Sequence, residues 1–161
     1  MTEPPQPPEV RPRLRVRGPE FIGLVFLAAL PITALFGWFG PSLETAASEH
    51  APIRLEVEYP NRLRFHLIER VSARVTNVGD APLERVRISF DESYMQGVSE
   101  ISFMPLAART HAVEWPKLGP GETRSVEVEL KAAQYGPIRG QVTAASEETH
   151  VAVPIHTFIF P

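Results

Sequence analysis

Two patterns along the sequence predict an all-β protein that begins with a membrane helix. Phe21–Phe39 is a run of 19 residues without a charged side chain. From residue 52 onward, apolar and polar residues alternate in short segments, and turn-forming residues separate these segments at 77–82, 118–122 and 146–148. Eight or nine such strands within about 110 residues are typical of an immunoglobulin-like β-sandwich. The predicted fold is therefore this sandwich, preceded by one N-terminal transmembrane α-helix.

Residues 1–19 are rich in proline and arginine and are predicted to be a disordered cytoplasmic tail. They contain six prolines and almost no large apolar residues, so they cannot bury enough surface to fold. Positive charge beside an apolar segment marks its cytoplasmic side, and it also suits contact with anionic lipid head groups. The candidate residues for both roles are Arg11, Arg13, Arg15 and Arg17.

The apolar run is interpreted as a permanent anchor, with a cleaved export signal as the alternative. As a helix, such a run spans about 28 Å, close to the roughly 30 Å of a bilayer's hydrocarbon core. A secretory signal has a shorter apolar core that leads directly to small residues. Here the small residues at 45–47 lie several positions beyond the run. Residues 20–42 are therefore predicted to cross the membrane, and 43–51 to be a linker outside it.

A stripe of small side chains on the anchor predicts a contact with a second membrane helix. Ala29, Thr33 and Gly37 are spaced four residues apart and so share one helix face. Small residues let two helices approach closely in lipid, where dispersion contacts hold them together. The alternative is a plain tether, since small residues are common in membrane helices.

Residues 52–161 are predicted to form the extracytoplasmic sandwich. In 53–59 every second residue is apolar and the residues between are charged, which is the pattern of a half-buried strand. Similar alternation recurs at 62–67, 70–76, 85–90, 99–103, 110–115, 123–130, 138–144 and 150–160. Four of the apolar residues are predicted to lie in the core: Val75, Val86, Val126 and Val128.

Two loops of this region resemble those of bacterial immunoglobulin-like modules of the CARDB-related type. The first is an Asn-x-Gly turn after a strand, in VSARVTNVGDAPLERVRISF, and the second is a Leu-x-Pro-Gly-Glu turn that leads into a strand. The residues that carry the resemblance are Asn77, Gly79, Asp80, Leu118, Pro120, Gly121 and Glu122. The resemblance implies an immunoglobulin-like fold over about residues 65–145, with an adhesion, spacer or accessory role and no particular activity. A single copy behind a membrane anchor favours the accessory role.

Two apolar segments of the sandwich are predicted to contact a partner. The stretch 91–106 is long and apolar for a hairpin loop, so its apolar residues are predicted to be exposed at a loop tip. The residues concerned are Tyr94, Met95 and Val98. The safer interpretation of the same stretch is a loop folded over the sandwich edge. At the end of the last strand, two phenylalanines point away from the apolar face and are predicted to need cover: Phe158 and Phe160.

The sequence contains no signature of an enzyme or of a cofactor site. The absence of cysteine excludes disulfides, zinc–thiolate sites and iron–sulfur clusters. The five histidines lack metal-binding spacing, and no nucleophile elbow or phosphate-binding glycine loop is present. A net charge of −3 argues against nucleic-acid binding. The sequence therefore predicts no cofactor, metal, nucleic acid or small-molecule substrate.

Together these patterns predict a non-enzymatic accessory protein of the cytoplasmic membrane, with its N-terminus in the cytoplasm and its sandwich periplasmic or extracellular. Its predicted partners are the membrane and another membrane protein or complex, which it would stabilise or assemble. The alternative is an extracytoplasmic module that binds cell-wall polymer or surface glycan, which would need an exposed aromatic platform. For such a platform the sandwich offers only Trp115 and three tyrosines.

Overall fold

The computed structural model describes residues 18–35, 42–106, 110–147 and 149–161. The chain divides into two units, Met1–Phe39 and Gly40–Pro161. The described part of the first unit is the helix α1, Gly18–Leu35, which contains Pro31.

Helix α1 begins slightly before the predicted membrane segment 20–42. Many of its large apolar side chains are exposed, among them Phe26, Leu27 and Leu35. Across the described ranges, no helix combines the length and the apolar composition that crossing a membrane requires. The last part of the apolar run, 36–39, lies outside the described residues.

The described part of the second unit consists of nine strands and one short helix. The strands are β1 Ser42–His50, β2 Ile53–Arg64, β3 Ile68–Asn77, β4 Leu83–Phe90, β5 Val98–Met104, β6 Ala112–Leu118, β7 Thr123–Ala132, β8 Gly136–Ala145 and β9 His150–Phe160. The helix, α2, is Glu92–Met95 and lies between β4 and β5. Each of the predicted strand segments from 70 onward corresponds to one of these strands. The predicted segments 53–59 and 62–67 merge into β2 as far as Arg64, and residues 65–67 form the loop that follows it, not a strand.

The strands form two layers along one continuous hydrogen-bonded path. One layer has the order β5-β7-β3-β2-β1, and the other has the order β9-β8-β4-β6. Strand β2 joins the layers, because its residues 53–58 pair antiparallel with β3 whereas its residues 62–64 pair parallel with β9. The change of partner occurs around the buried Pro60, which has no N–H to give to either ladder.

The alternation in the sequence determines which face of each strand is buried. In β7 the residues Val126, Val128 and Leu130 are fully buried, while the residues between them are half-buried. The predicted core residues Val75, Val86, Val126 and Val128 are all fully buried, which confirms that prediction. Burying one such side chain stabilises the fold by about 1.5–3 kcal/mol, so the paired inner faces hold the two layers together.

Residues 42–50 form the strand β1, whereas the sequence predicts a linker over 43–51. Strand β1 pairs antiparallel with β2 along its whole length. Its inward side chains are small or polar and only half-buried: Ser42, Glu44, Ala46 and Ser48. The ladder with β2, more than apolar packing, therefore holds the segment in place. The sandwich thus begins one strand earlier than the predicted boundary at residue 52.

Candidate interaction surface

Five strand ends meet at one end of the sandwich, where they carry a cluster of apolar side chains. The pairings that bring them together are Ile68 with Lys131, Gly136 with Ile159, and Arg64 with Phe160. They place the end of β2, the start of β3, the end of β7, the start of β8 and the end of β9 side by side. We call this surface the apolar end, and it consists of Phe65, Leu67, Ile68, Tyr135, Phe158 and Phe160.

Phe65 attaches the apolar end to the core. Its backbone N–H donates a hydrogen bond to the carbonyl of Phe160 at 2.9 Å, and its half-buried ring packs against the core. The ring of Tyr135 lies 4.3 Å from that of Phe65, centroid to centroid, and the ring of His66 lies 4.0 Å from it on the same measure. His66 packs edge-on and Tyr135 packs tilted against Phe65, so these contacts join the β2–β3 and β7–β8 loops.

Four side chains of the apolar end are largely exposed. The exposed fractions are 46% for Leu67, 61% for Ile68, 59% for Tyr135 and 52% for Phe158. Ile68 lies on the outer face of the layer that contains β3, whereas Phe158 lies on the outer face of the layer that contains β9. The apolar end therefore wraps around the end of both layers. Clusters of exposed apolar side chains mark surfaces that contact protein or membrane.

The phenylalanines of the last strand lie on its outer face, as the sequence predicts. Buried and more exposed residues alternate along the whole of β9, with Phe158 exposed and Phe160 half-buried. Phe158 pairs with Pro137 of β8 on one side and with Arg62 of β2 on the other. The role of the two phenylalanines in an interface stays a prediction.

Tyr94, Met95 and Val98 are buried, so the prediction that they are exposed at a loop tip is wrong, and the interpretation as a loop folded over the sandwich edge is confirmed. Their exposed fractions are 0%, 3% and 7%. Asp91 caps the helix α2 by accepting a hydrogen bond from the backbone N–H of Ser93. Both Tyr94 and Met95 of this helix belong to the core. The segment therefore folds over the sandwich and offers no interface at these three residues.

Two glycines make room for this segment. A side chain at Gly140 of β8 would lie 2.6 Å from the Cβ of Tyr94, and one at Gly97 would collide with the side chain of Ile138. Both contacts involve residues far apart in sequence. The absence of a side chain at these positions is therefore required by close packing.

The Tyr94 hydroxyl belongs to a buried chain of hydrogen bonds. Thr157 Oγ1 donates to the carbonyl of Pro60 at 2.6 Å, so it accepts the 2.9 Å hydrogen bond from the Tyr94 hydroxyl. These two hydrogen bonds connect α2 with β9, and β9 with Pro60 of β2. Burial raises the pKa of Tyr94 to about 12, because an ionised phenol would lose its hydration there.

The raised pKa of Tyr94 makes stability depend on alkaline pH. The folded protein keeps a proton that the unfolded chain releases near the ordinary pKa of 10.0. The stabilisation is therefore complete below pH 10 and is lost between pH 10 and about 12, at up to roughly 1.4 kcal/mol per pH unit. We expect urea midpoints of the full chain to fall across this window, and Tyr94→Phe to make the fall shallower. An equally steep fall in the variant would contradict the assignment to Tyr94.

The Asn-x-Gly motif connects three elements. Asn77 is fully buried, and its Nδ2 donates to the carbonyls of Ala81 at 2.8 Å and Leu118 at 3.1 Å. Its Oδ1 accepts from the N–H of Gly79 at 3.0 Å. The single amide thus joins the end of β3, the following loop and the end of β6.

The Leu-x-Pro-Gly-Glu motif also holds a loop. Gly121 has φ +69, a left-handed conformation that suits glycine, and its N–H donates to the Asn77 carbonyl at 2.9 Å. The carboxylate of Glu122 accepts from the N–H of Gly119 at 2.8 Å, and this bond is the main reason that the pKa of Glu122 is lowered. Both motifs therefore hold loops of the fold in place.

The predicted helix seam is described only in part. On α1, Ala29 is exposed and Thr33 is half-buried. Gly37 lies outside the described residues, as do Arg11, Arg13, Arg15 and Arg17. The predicted contact of the seam with another helix and the predicted role of the arginines stay predictions.

Within the described residues, no three histidine, aspartate or glutamate side chains come together to hold a metal ion. The His156 Nε2 lies 4.0 Å from a carboxylate oxygen of Glu44, at an open groove of about 560 Å³ between β1 and β9. A metal site needs more ligands than this pair supplies.

The strand order defines the class of fold. The layer β2-β3-β7-β5 corresponds to strands A, B, E and D of an immunoglobulin domain, and β4-β8-β9 corresponds to strands C, F and G. Strands β1 and β6 add an edge strand to each layer. The second unit is therefore an immunoglobulin-like β-sandwich.

No protein-family model matches the chain, and no curated protein sequence matches it. Among solved structures, native alpha-2-macroglobulin from Escherichia coli, from domain MG7 to the C-terminus, is similar at a TM-score of 0.50 and 18% identity. The match covers 69% of this chain and 17% of that one. The CARDB domain of the PF1109 protein from Pyrococcus furiosus, in complex with di-metal ions, gives a TM-score of 0.48 at 14% identity. It covers 67% of this chain and 87% of that domain. At these identities, the similarity concerns the fold alone.

Sequence reasoning missed four members of the apolar end: Phe65, Leu67, Ile68 and Tyr135. A signal was present at 65–68, where the strict alternation stops and two apolar residues, Leu67 and Ile68, follow each other. Tyr135 precedes Gly136, which has φ +100 and begins β8. The proximity of these two loops depends on strand pairing that the local sequence does not reveal.

Proposed function

We propose that the chain is a non-enzymatic, membrane-anchored accessory protein that stabilises or assembles a larger membrane complex. Residues 20–42 anchor it in the cytoplasmic membrane, with residues 1–19 in the cytoplasm and a CARDB-related sandwich outside. The observation that carries the proposal is the charge-free run Phe21–Phe39, flanked by arginines on one side only.

The character of α1 supports the anchor. Apolar side chains are exposed at successive positions from Phe21 to Phe26 except at Gly23, and so they point to every side of the helix. A helix that is apolar all round needs cover from lipid or from other protein. The run also continues beyond Leu35 to Phe39, which gives it the length of a membrane span.

The sandwich supports a role without catalysis. Its best-defined sequence motifs, around Asn77 and Glu122, are used to hold loops. The raised pKa of Tyr94 arises from burial within the core, where no substrate reaches it. These features of the described residues support a binding or structural role more than an enzymatic one.

A glycan-binding module is less well supported. Tyr59 and Tyr94 are buried, and Trp115 is half-buried against the core. Tyr135 is thus the one largely exposed tyrosine in the sandwich. The exposed rings of His66, Tyr135 and Phe158 do not make a flat platform, because His66 and Tyr135 meet Phe65 at interplanar angles of 63° and 38° and Phe158 lies on the outer face of β9.

We expect Gly37→Ile to reduce co-purification of a membrane partner from native membranes about tenfold while the protein still inserts. The bulky side chain would block close approach of a second helix and remove on the order of 1.4 kcal/mol of contact energy. The measurement is quantitative mass spectrometry of material purified from solubilised membranes.

Two further variants complete this experiment. Ala29→Gly keeps the stripe small and should have a mild effect. Replacing residues 21–39 by leucine retains the hydrophobic length but removes the stripe, so it should lose the partner too. Full recovery of the partner with the leucine helix would show that the segment is only a tether.

A further inference from the structure

The chain enters the sandwich at the apolar end. Ser42, the first residue of β1, pairs with Arg62 near the end of β2. Residues 62–64 of β2 also pair with residues 158–160 of β9. Ser42 therefore begins at the same end of the sandwich as Phe65, Phe158 and Phe160.

This step rests on the proposed function, in which Phe21–Phe39 is the anchor. The short connection between that run and β1 then keeps this end of the sandwich near the membrane. Only Gly40 and Pro41 separate the run from β1. Three fully extended Cα–Cα steps cover at most about 11 Å. Such a short connection holds the start of β1 within reach of the head groups.

The side chains of the apolar end have the chemistry of an interfacial surface. Tyr135 and Phe65 supply aromatic rings, and Ile68 and Phe158 supply aliphatic and aromatic area. The exposed Arg64 and Arg62 lie beside them on β2. Aromatic and apolar side chains flanked by basic residues are typical of protein surfaces at the boundary between lipid head groups and acyl chains.

The shape of this surface favours lipid over a protein partner. Ile68 and Phe158 lie on the outer faces of opposite layers, and Tyr135 lies in the loop between β7 and β8. A rigid partner would need a concave site to reach all three side chains. Fluid lipid conforms to such a surface without a matched shape.

We propose that the apolar end of the sandwich is embedded in the head-group region of the bilayer, so that lipid covers Leu67, Ile68, Tyr135 and Phe158. The sandwich is thereby held against the membrane by its own surface as well as by its anchor.

The test uses three versions of the full chain, each with one tryptophan, in vesicles of phosphatidylethanolamine and phosphatidylglycerol with brominated acyl chains. The first keeps Trp38 in the anchor and carries Trp115→Phe. The second adds Trp38→Phe and Tyr135→Trp, and the third carries Val78→Trp in place of Tyr135→Trp. Val78 is 44% exposed and directly follows the end of β3 opposite to Ile68, so it is the matched control.

The expected result is loss of emission at positions 38 and 135, with a blue shift at 135, and no loss at 78. Quenching at 38 without quenching at 135 would overturn the inference and leave the anchor in place. Equal quenching at 135 and 78 would also overturn it, because contact would then not be confined to the apolar end. Quenching at 135 without quenching at 38 would support the lipid contact and refute the anchor.

A substitution distinguishes lipid from a protein partner. We expect Ile68→Glu to reduce quenching of the tryptophan at 135 in vesicles that contain this chain alone. If quenching is unchanged, and the variant instead loses a protein from native membranes, the surface is a protein interface and the inference is wrong. Arg74→Glu on the same outer face of β3 should leave the quenching unchanged.

Discussion

Asn77→Ala is expected to lower the free energy of unfolding by about 3–5 kcal/mol, because it leaves three buried or partly buried polar groups without their partner. These groups are the carbonyls of Ala81 and Leu118 and the N–H of Gly79. Their separate locations mean that no single rearrangement can satisfy all three. Denaturant unfolding of the full chain in mild detergent, followed by tryptophan fluorescence and circular dichroism, would measure the loss.

Asn61→Ala is the matched control for this substitution. Asn61 is half-buried, and its Nδ2 makes one long hydrogen bond of 3.4 Å, to Glu44. Removing it should cost less than about 1 kcal/mol. Similar small losses in both variants would show that the Asn77 amide does not hold the loops together.

The second large effect is expected at Tyr94. Tyr94→Ala should destabilise the sandwich by about 3–5 kcal/mol, because it removes a fully buried ring from a slot that Gly140 keeps open. Tyr94→Phe retains the ring and loses only the hydrogen bond to Thr157, which should cost about 1 kcal/mol. Unfolding of the two variants by urea at neutral pH would give both values.

These two variants also separate the observed location of Tyr94 from the predicted one. A tyrosine exposed at a loop tip would tolerate alanine, and its loss would instead weaken binding to a partner. Glu92→Ala is a suitable control, since Glu92 belongs to the same helix but is exposed. If Tyr94→Ala were as harmless as Glu92→Ala, the buried location would be refuted.

The strands were predictable wherever large apolar residues alternate with charged ones. Strand β7 is such a case, because Val126 and Val128 alternate with Glu127 and Glu129. Strand β1 was not predictable in this way, since its inward positions are filled by residues such as Glu44 and Ala46. A strand that is held mainly by backbone hydrogen bonds to its neighbour does not need large apolar residues, so its sequence lacks the usual hydrophobic alternation.

The candidate surface was predictable only in part. Phe158 could be placed because strand alternation alone decides its face. The burial of Tyr94 could not be predicted in this way, because the space that it fills depends on Gly140, which is 46 positions away in the sequence. Tyr135 joins Phe65 for the same reason, through contacts between loops that are distant along the chain. Local patterns indicate which side chains are apolar, and tertiary pairing decides which of them stay exposed.

Strand β1 also determines how tension in an anchored chain would reach the sandwich. Ser42 lies at the open end of the β1–β2 hairpin, so a pull on it would load the ladder one pair of residues at a time. Releasing the nine residues of β1 would lengthen the tether by about 30 Å. In an anchored chain, β1 is therefore the first strand that tension on Ser42 would load.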